Sequence, residues 1–106
     1  MSVLPLDFGR HLARDRRRSV HTVRAYEATA ARLLGFLGEH WGQEADRSTL
    51  GRVSAADLRA YLAHRRGQGL GNASAARELS AVRTFLKWAA GDEAPPRMRG
   101  PRVKKG

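Results

Sequence analysis

The chain of 106 residues contains no cysteine, only four prolines, and few acidic residues. Without cysteine there is no disulfide scaffold, no zinc finger, no thiol redox centre and no cysteine nucleophile. Aromatic residues are scarce at 7%. Trp41 and Trp88 stand far apart, so they read as packing residues rather than the clustered stacking platforms of single-strand binders. Apolar runs last a few residues, well short of a membrane span. The segment from Met1 to Phe8 has neither the basic start nor the apolar stretch of a secretory signal. The deficit of acid is the most informative: 10 Asp plus Glu against 20 Lys plus Arg gives a net charge of +10. Such a surplus suits a polyanionic partner, and nucleic acid is the commonest one. The length fits one domain, and 42% hydrophobic residues can build a modest core. The expectation is a small, soluble, intracellular, basic domain.

The basic excess is uneven. Residues 94–106 hold Arg97, Arg99, Arg102, Lys104 and Lys105 with no acid, so this tail carries +5 and residues 1–93 carry the rest. Pro95, Pro96 and Pro101 remove amide donors and disfavour helix before them, so 94–106 reads as an extended basic linker following a body at 1–93. A linker with nothing after it is expected of a truncated chain. The body reads as four helices. The first runs from about Leu6 to Arg16, with Leu4, Phe8 and Leu12 one turn apart and Pro5 near its start. The second opens after Ser19, carries Val23, Tyr26, Ala30, Leu33 and Leu37 on one stripe, and ends near Gly38 or His40, before a polar loop from Gly42 to Gly51. The third is announced by Val53 and an S-x-x-D capping box at Ser54 and Asp57. It buries Leu58, Tyr61 and Leu62, and Gly67, Gly69 and Gly71 end it in a turn. The fourth starts near Asn72 or Ser74, aligns Ala75, Leu79, Val82, Leu86 and Ala89 with Phe85 beside them, and stops at Gly91. No run alternates long enough for a strand. The expected fold is all-α, an orthogonal bundle of four short helices.

Two polar faces invite a function. Opposite its core stripe the fourth helix shows Arg77, Ser80, Thr84 and Lys87, with Ala76 and Arg83 alongside and Glu78 as its one acid. A helix entering the DNA major groove needs small residues for close approach, Arg or Lys for guanine edges and phosphates, and hydroxyls for phosphate oxygens. The second helix offers Ser19, His21, Thr22 and Arg24 at its first turn, where free amides and the positive dipole end favour phosphate. Any soluble helix has a polar face; two such cationic faces in a chain of +10 favour DNA. His11, His21, His40 and His64 are dispersed without acidic neighbours at ligand spacing, so no metal or other cofactor is expected. The cluster Arg14, Arg16, Arg17 and Arg18 suits either a solvated helix end or a DNA backbone.

Three stretches resemble the core-binding domain of the tyrosine recombinases, also called phage integrases. Ser19 to Tyr26 is similar to that family's S-x-x-T-x-x-x-Y opening. Val53 to Leu62 is similar to its T-x-x-D-[LV]-x-x-[YF]-L helix, and Ser74 to Phe85 to its S-x-x-R-x-L-S-A-[LI]-R-x-F helix. The tail from Pro96 to Arg102 resembles the basic linker into the family's catalytic domain. The Ser-x-His-Thr form leans toward the XerC branch, which resolves chromosome dimers. The resemblance implies a four-helix, SAM-like domain forming half of a C-shaped clamp on duplex DNA, with the second and fourth helices along the major groove. It implies contacts from Ser19, Thr22 and Arg24, and from Ser74, Arg77, Arg83 and Lys87, to which the polar faces add His21, Ser80 and Thr84 as candidates. Arg77, Arg83 and Lys87 would read bases, while Thr22, Arg24, Arg32 and the tail residues Arg99, Arg102 and Lys104 would position the duplex. Tyr26, Leu79, Val82 and Phe85 match core positions. The family's nucleophilic tyrosine belongs to a second domain, so this chain is expected to bind DNA without cutting it. The implied partners are a recombination half-site and partner recombinase subunits in a tetrameric synapse, in the bacterial cytoplasm at the nucleoid; alone, the domain is expected to be a monomer. Two other classes fit the composition: a basic helical protein-interaction module, and a small standalone DNA-binding regulator.

Overall fold

A computed structural model describes residues 3–14 and 17–90. Five helices follow in order: α1 (Leu4–Ala13), α2 (Val20–Trp41), α3 (Arg47–Leu50), α4 (Ala55–Gly67) and α5 (Asn72–Ala90), with no strand among the described residues. The all-α reading holds, with one helical turn more than the sequence suggested.

Each boundary has a local cause. Helix α1 begins at Leu4, two residues earlier than expected, because Pro5 sits inside its first turn, where its fixed φ suits a helix and no amide is missed. It ends at Ala13 rather than Arg16: the apolar stripe stops at Leu12, and the Arg14 amide closes the turn on the His11 and Leu12 carbonyls. Ser19 caps α2 through its side chain, which accepts from the Thr22 amide at 3.0 Å. That helix runs past Gly38 and His40 to Trp41, a residue packed against the core, and stops at Gly42 with φ 73°. The stretch expected to be a polar loop contains α3. Asp46 and Thr49 form a capping box there, and the turn carries Leu50 into the core between buried Ala45 and Val53. The capping box read at Ser54 and Asp57 is present and starts α4. The stop of α5 at Gly91 lies outside the described residues.

The main core joins Leu4, Phe8 and Leu12 of α1 to Leu33 and Leu37 of α2, Leu58 and Tyr61 of α4, and Val82, Phe85 and Leu86 of α5. Each fully buried side chain of this kind contributes about 1.5–3 kcal/mol by leaving water. A smaller group, Leu62, Ala75 and Leu79, closes the α4–α5 end. Phe8 meets Phe85 edge-on at 5.1 Å and Trp88 at 5.4 Å. Gly9 marks the close approach of α1 to α2, where a β-carbon would run into the Glu27 side chain. Both tryptophans pack against the core, and the Arg47 guanidinium lies 4.4 Å from the Trp88 ring centre, tying α3 to α5. The result leaves α2 and α5 side by side, with their polar faces flanking a common groove.

Candidate nucleic-acid interface

The groove between α2 and α5 is an open concavity of about 430 Å³. Thr22 and Arg32 of α2 face Ser74 and Arg77 of α5 across small residues, Ala25, Ala28 and Ala81. Four residues singled out in the sequence thus come together although they belong to helices far apart in the chain. Hydroxyls and guanidinium groups on a small-residue surface are what a phosphate backbone requires. Ser19 sits at the mouth of α2, its hydroxyl engaged at both ends: it accepts from the Thr22 amide and donates to Thr22 Oγ1, each at 3.0 Å. Arg77 donates from Nη2 to Ser74 Oγ at 3.2 Å, which couples the two α5 residues on the groove wall.

The other candidates are arranged differently. His21 and Arg24 are exposed on the first turns of α2 and do not line the groove. Ser80, Arg83, Thr84 and Lys87 continue along α5 beyond it, with Thr84 half-buried and the other three exposed. The Thr84 hydroxyl donates to the Ser80 carbonyl at 3.0 Å. Arg99, Arg102 and Lys104 lie outside the described residues.

Glu78 requires a correction. The sequence reading put it on the exposed cationic face; its side chain is 6% exposed, at the junction of α2, α4 and α5. Its Oε2 accepts from Arg65 Nε at 2.8 Å and from the Tyr61 hydroxyl, and its Oε1 accepts from Arg65 Nη2 and Arg32 Nη2, each at 3.2 Å. Burial pushes this carboxyl upward, but the hydrogen bonds from Arg65 and Tyr61 and the nearby Arg32 charge outweigh it and hold it below the usual carboxylate range. Burial, reinforced by Glu78, pushes the Tyr61 phenol well above its ordinary value. Arg65 and this network were missed in the sequence, although the signal was there. Glu78 stands three residues after Ala75 and four before Val82, on the buried stripe, and Arg65 stands four after Tyr61 on the inner side of α4. Two guanidinium groups, Arg65 and Arg32, share this one carboxylate, so the cluster beside Arg77 keeps a net positive charge.

Residues 7–92 match the family model described as phage integrase, N-terminal SAM-like domain. The chain belongs to that family. It is 40% identical over 82 residues to the tyrosine recombinase XerC of Rhodospirillum centenum, an alignment covering 77% of this chain and 24% of that protein. Identity is also 40% over 77 residues to the tyrosine recombinase XerC of Mesorhizobium japonicum, covering 73% of the chain and 25% of the relative. Against the tyrosine recombinase XerC of Brucella suis it is 38% over 98 residues, covering 85% and 30% respectively. The chain therefore spans 24–30% of the length of these curated relatives. No solved structure matches it. This member of the phage integrase SAM-like family has, among its described residues, no helix long and apolar enough to cross a membrane.

Proposed function

We propose that the chain is the duplex-DNA-binding N-terminal part of a XerC-type tyrosine recombinase, gripping one recombination half-site as half of a clamp. The observation that carries this reading is the α2–α5 groove. It gathers Thr22, Arg32, Ser74 and Arg77 on one concave surface, and its one acid is already matched by Arg65. The net charge of +10 and the named relatives support it. In this reading residues 1–93 are the binding body and 94–106 a basic linker that adds phosphate contacts through Arg99, Arg102 and Lys104. Arg77, Arg83 and Lys87 address base edges, and Ser19, His21, Thr22, Arg24, Arg32, Ser74, Ser80 and Thr84 hold the backbone.

Cleavage and rejoining belong, in this reading, to residues outside the 106. Tyr61 is 1% exposed and its hydroxyl is committed to Glu78, while Tyr26 packs against the core; a phosphotyrosyl mechanism needs an accessible hydroxyl among cations. Partner recombinase subunits, a tetrameric synapse, action in chromosome dimer resolution or integration, and a cytoplasmic, nucleoid-associated setting follow for the whole protein on the same reading.

The test is an anisotropy titration with labelled duplex DNA across a salt series, with a polyglutamate competitor in parallel. About five phosphate contacts give a log–log slope of roughly −4 to −5. A slope near zero, or displacement of the duplex by equimolar polyglutamate, would sink the proposal in favour of an acidic protein partner.

A further inference from the structure

Arg32 stands between two concavities. One is the α2–α5 groove shared with Thr22 and Arg77; the other lies toward α4 and is lined by Phe36, His64 and Arg65. Arg32 Nη2 donates to Thr29 Oγ1 at 3.1 Å and to Glu78 Oε1 at 3.2 Å, and its guanidinium also interacts with the Tyr61 hydroxyl, on the side of the second concavity. Thr29 and Glu78 both line the α2–α5 groove, and neither lines the other concavity. A long arginine side chain gains rotamer entropy when unrestrained, so these two acceptors, with measured bonds through Nη2, draw its charge toward the α2–α5 groove. Glu78 can hold Arg32 and leave the cluster positive, because Arg32 and Arg65 together put two charges on one carboxylate. A guanidinium carries five N–H donors, so the bonds through Nη2 leave others for a ligand.

We infer that Glu78 is a positioning residue for nucleic-acid backbone binding: it holds the Arg32 guanidinium at the α2–α5 groove, where the donors left over meet a phosphate oxygen. The inference rests on the proposed duplex binding and assigns a part in it to a buried acid. Simple electrostatics gives the opposite sign, since deleting a negative charge from the wall of an anion-binding groove tightens binding. That opposition makes the test decisive.

The 106-residue chain and its variants are titrated with labelled duplex DNA at several salt concentrations, with far-ultraviolet circular dichroism to establish folding. Glu78→Gln is expected to weaken binding by roughly three- to tenfold and to flatten the salt slope by about 0.9, the share of one phosphate. Arg32→Ala, which leaves Glu78 matched by Arg65, does the same, and the double variant loses no more than either single one. Thr29→Val removes the other tether without altering charge and shifts binding in the same direction. Should Glu78→Gln not fold, Arg32→Ala and Thr29→Val decide: weakening by both supports the inference, and unchanged binding by either overturns it. Tighter or unchanged binding by folded Glu78→Gln, with Arg77→Ala still weakening, overturns the inference alone. A wild-type chain that binds no duplex overturns the reading beneath it.

Discussion

Arg65 grips Glu78 with a two-pronged ion pair: Nε lies 2.8 Å from Oε2 and Nη2 lies 3.2 Å from Oε1. With the Tyr61 hydroxyl and Arg32 on the same carboxylate, the pair ties α2, α4 and α5 together beneath the groove. A charge removed from water to this degree is tolerated because every oxygen has a donor.

Arg65→Ala leaves that carboxylate with Arg32 and Tyr61 alone and should lower stability by about 3 kcal/mol. Tyr61→Phe removes a single hydroxyl and should cost about 1 kcal/mol. Urea denaturation followed at 222 nm (far-ultraviolet helix signal) measures both, and the expected order is Arg65→Ala well below Tyr61→Phe.

Acid should unfold the protein partly through Glu78. Its carboxyl is held low in the folded state despite burial, chiefly by Arg65 and Tyr61. As pH falls, the unfolded chain therefore takes up this proton first. The stabilisation is complete above the ordinary carboxylate pKa and fades as pH drops through the folded-state value. The urea midpoint of the wild type should fall between about pH 5 and pH 3, and that of Glu78→Gln should fall less steeply. Asp57 stays in both proteins; there burial is outweighed by the Ser54 hydrogen bonds and the His40 charge, so a residual slope persists.

Two glycines should respond in opposite directions. Gly42 ends α2 at φ 73°, which strains any residue with a β-carbon, so Gly42→Ala should cost about 1 kcal/mol. Gly35 lies inside α2 with open space around it, so Gly35→Ala should add about 0.5–1 kcal/mol through helix propensity. Thermal melts of the two variants falling on the same side of the wild type would contradict this.

Ser19 and Ser54 both cap helices, but on the proposed reading only Ser19 lies beside DNA. Each change to alanine should cost about 1 kcal/mol of stability. Duplex affinity, measured well below the melting temperature, should drop for Ser19→Ala and hold for Ser54→Ala.

Arg77→Ala should relax base preference in a library of duplexes, whereas Arg24→Ala should weaken all sequences alike and reduce the salt slope by about 1. Equal profiles for the two variants would refute the assignment of base reading to α5 and backbone holding to the start of α2.

Much of the fold was legible because helix signals are local. The Leu4, Phe8 and Leu12 stripe, the Ser19 cap and the Ser54–Asp57 box each lie within a turn or two, and each is present. The α3 turn was overlooked among polar residues, although Asp46, Thr49 and Leu50 spell a capped turn with an apolar anchor. Ser19, Thr22, Ser74 and Arg77 could be chosen from their residue types and helical positions. That Thr22, Arg32, Ser74 and Arg77 share one groove could not, since this depends on how α2 packs on α5.

An all-α chain with a surplus of positive charge is written in the residues themselves, because periodicity, caps and composition act within single helices or through their sum. The tertiary structure alone decided which charges are available. Arg32 and Glu78 are 46 positions apart, and nothing local couples them. Packing of α4 and α5 around Tyr61 takes Glu78 out of water, gives it to Arg65, and leaves Arg32 held at the groove. The desolvation of that one carboxylate is a property of the assembled bundle, and it turned an apparent flaw in a basic surface into the support beneath it.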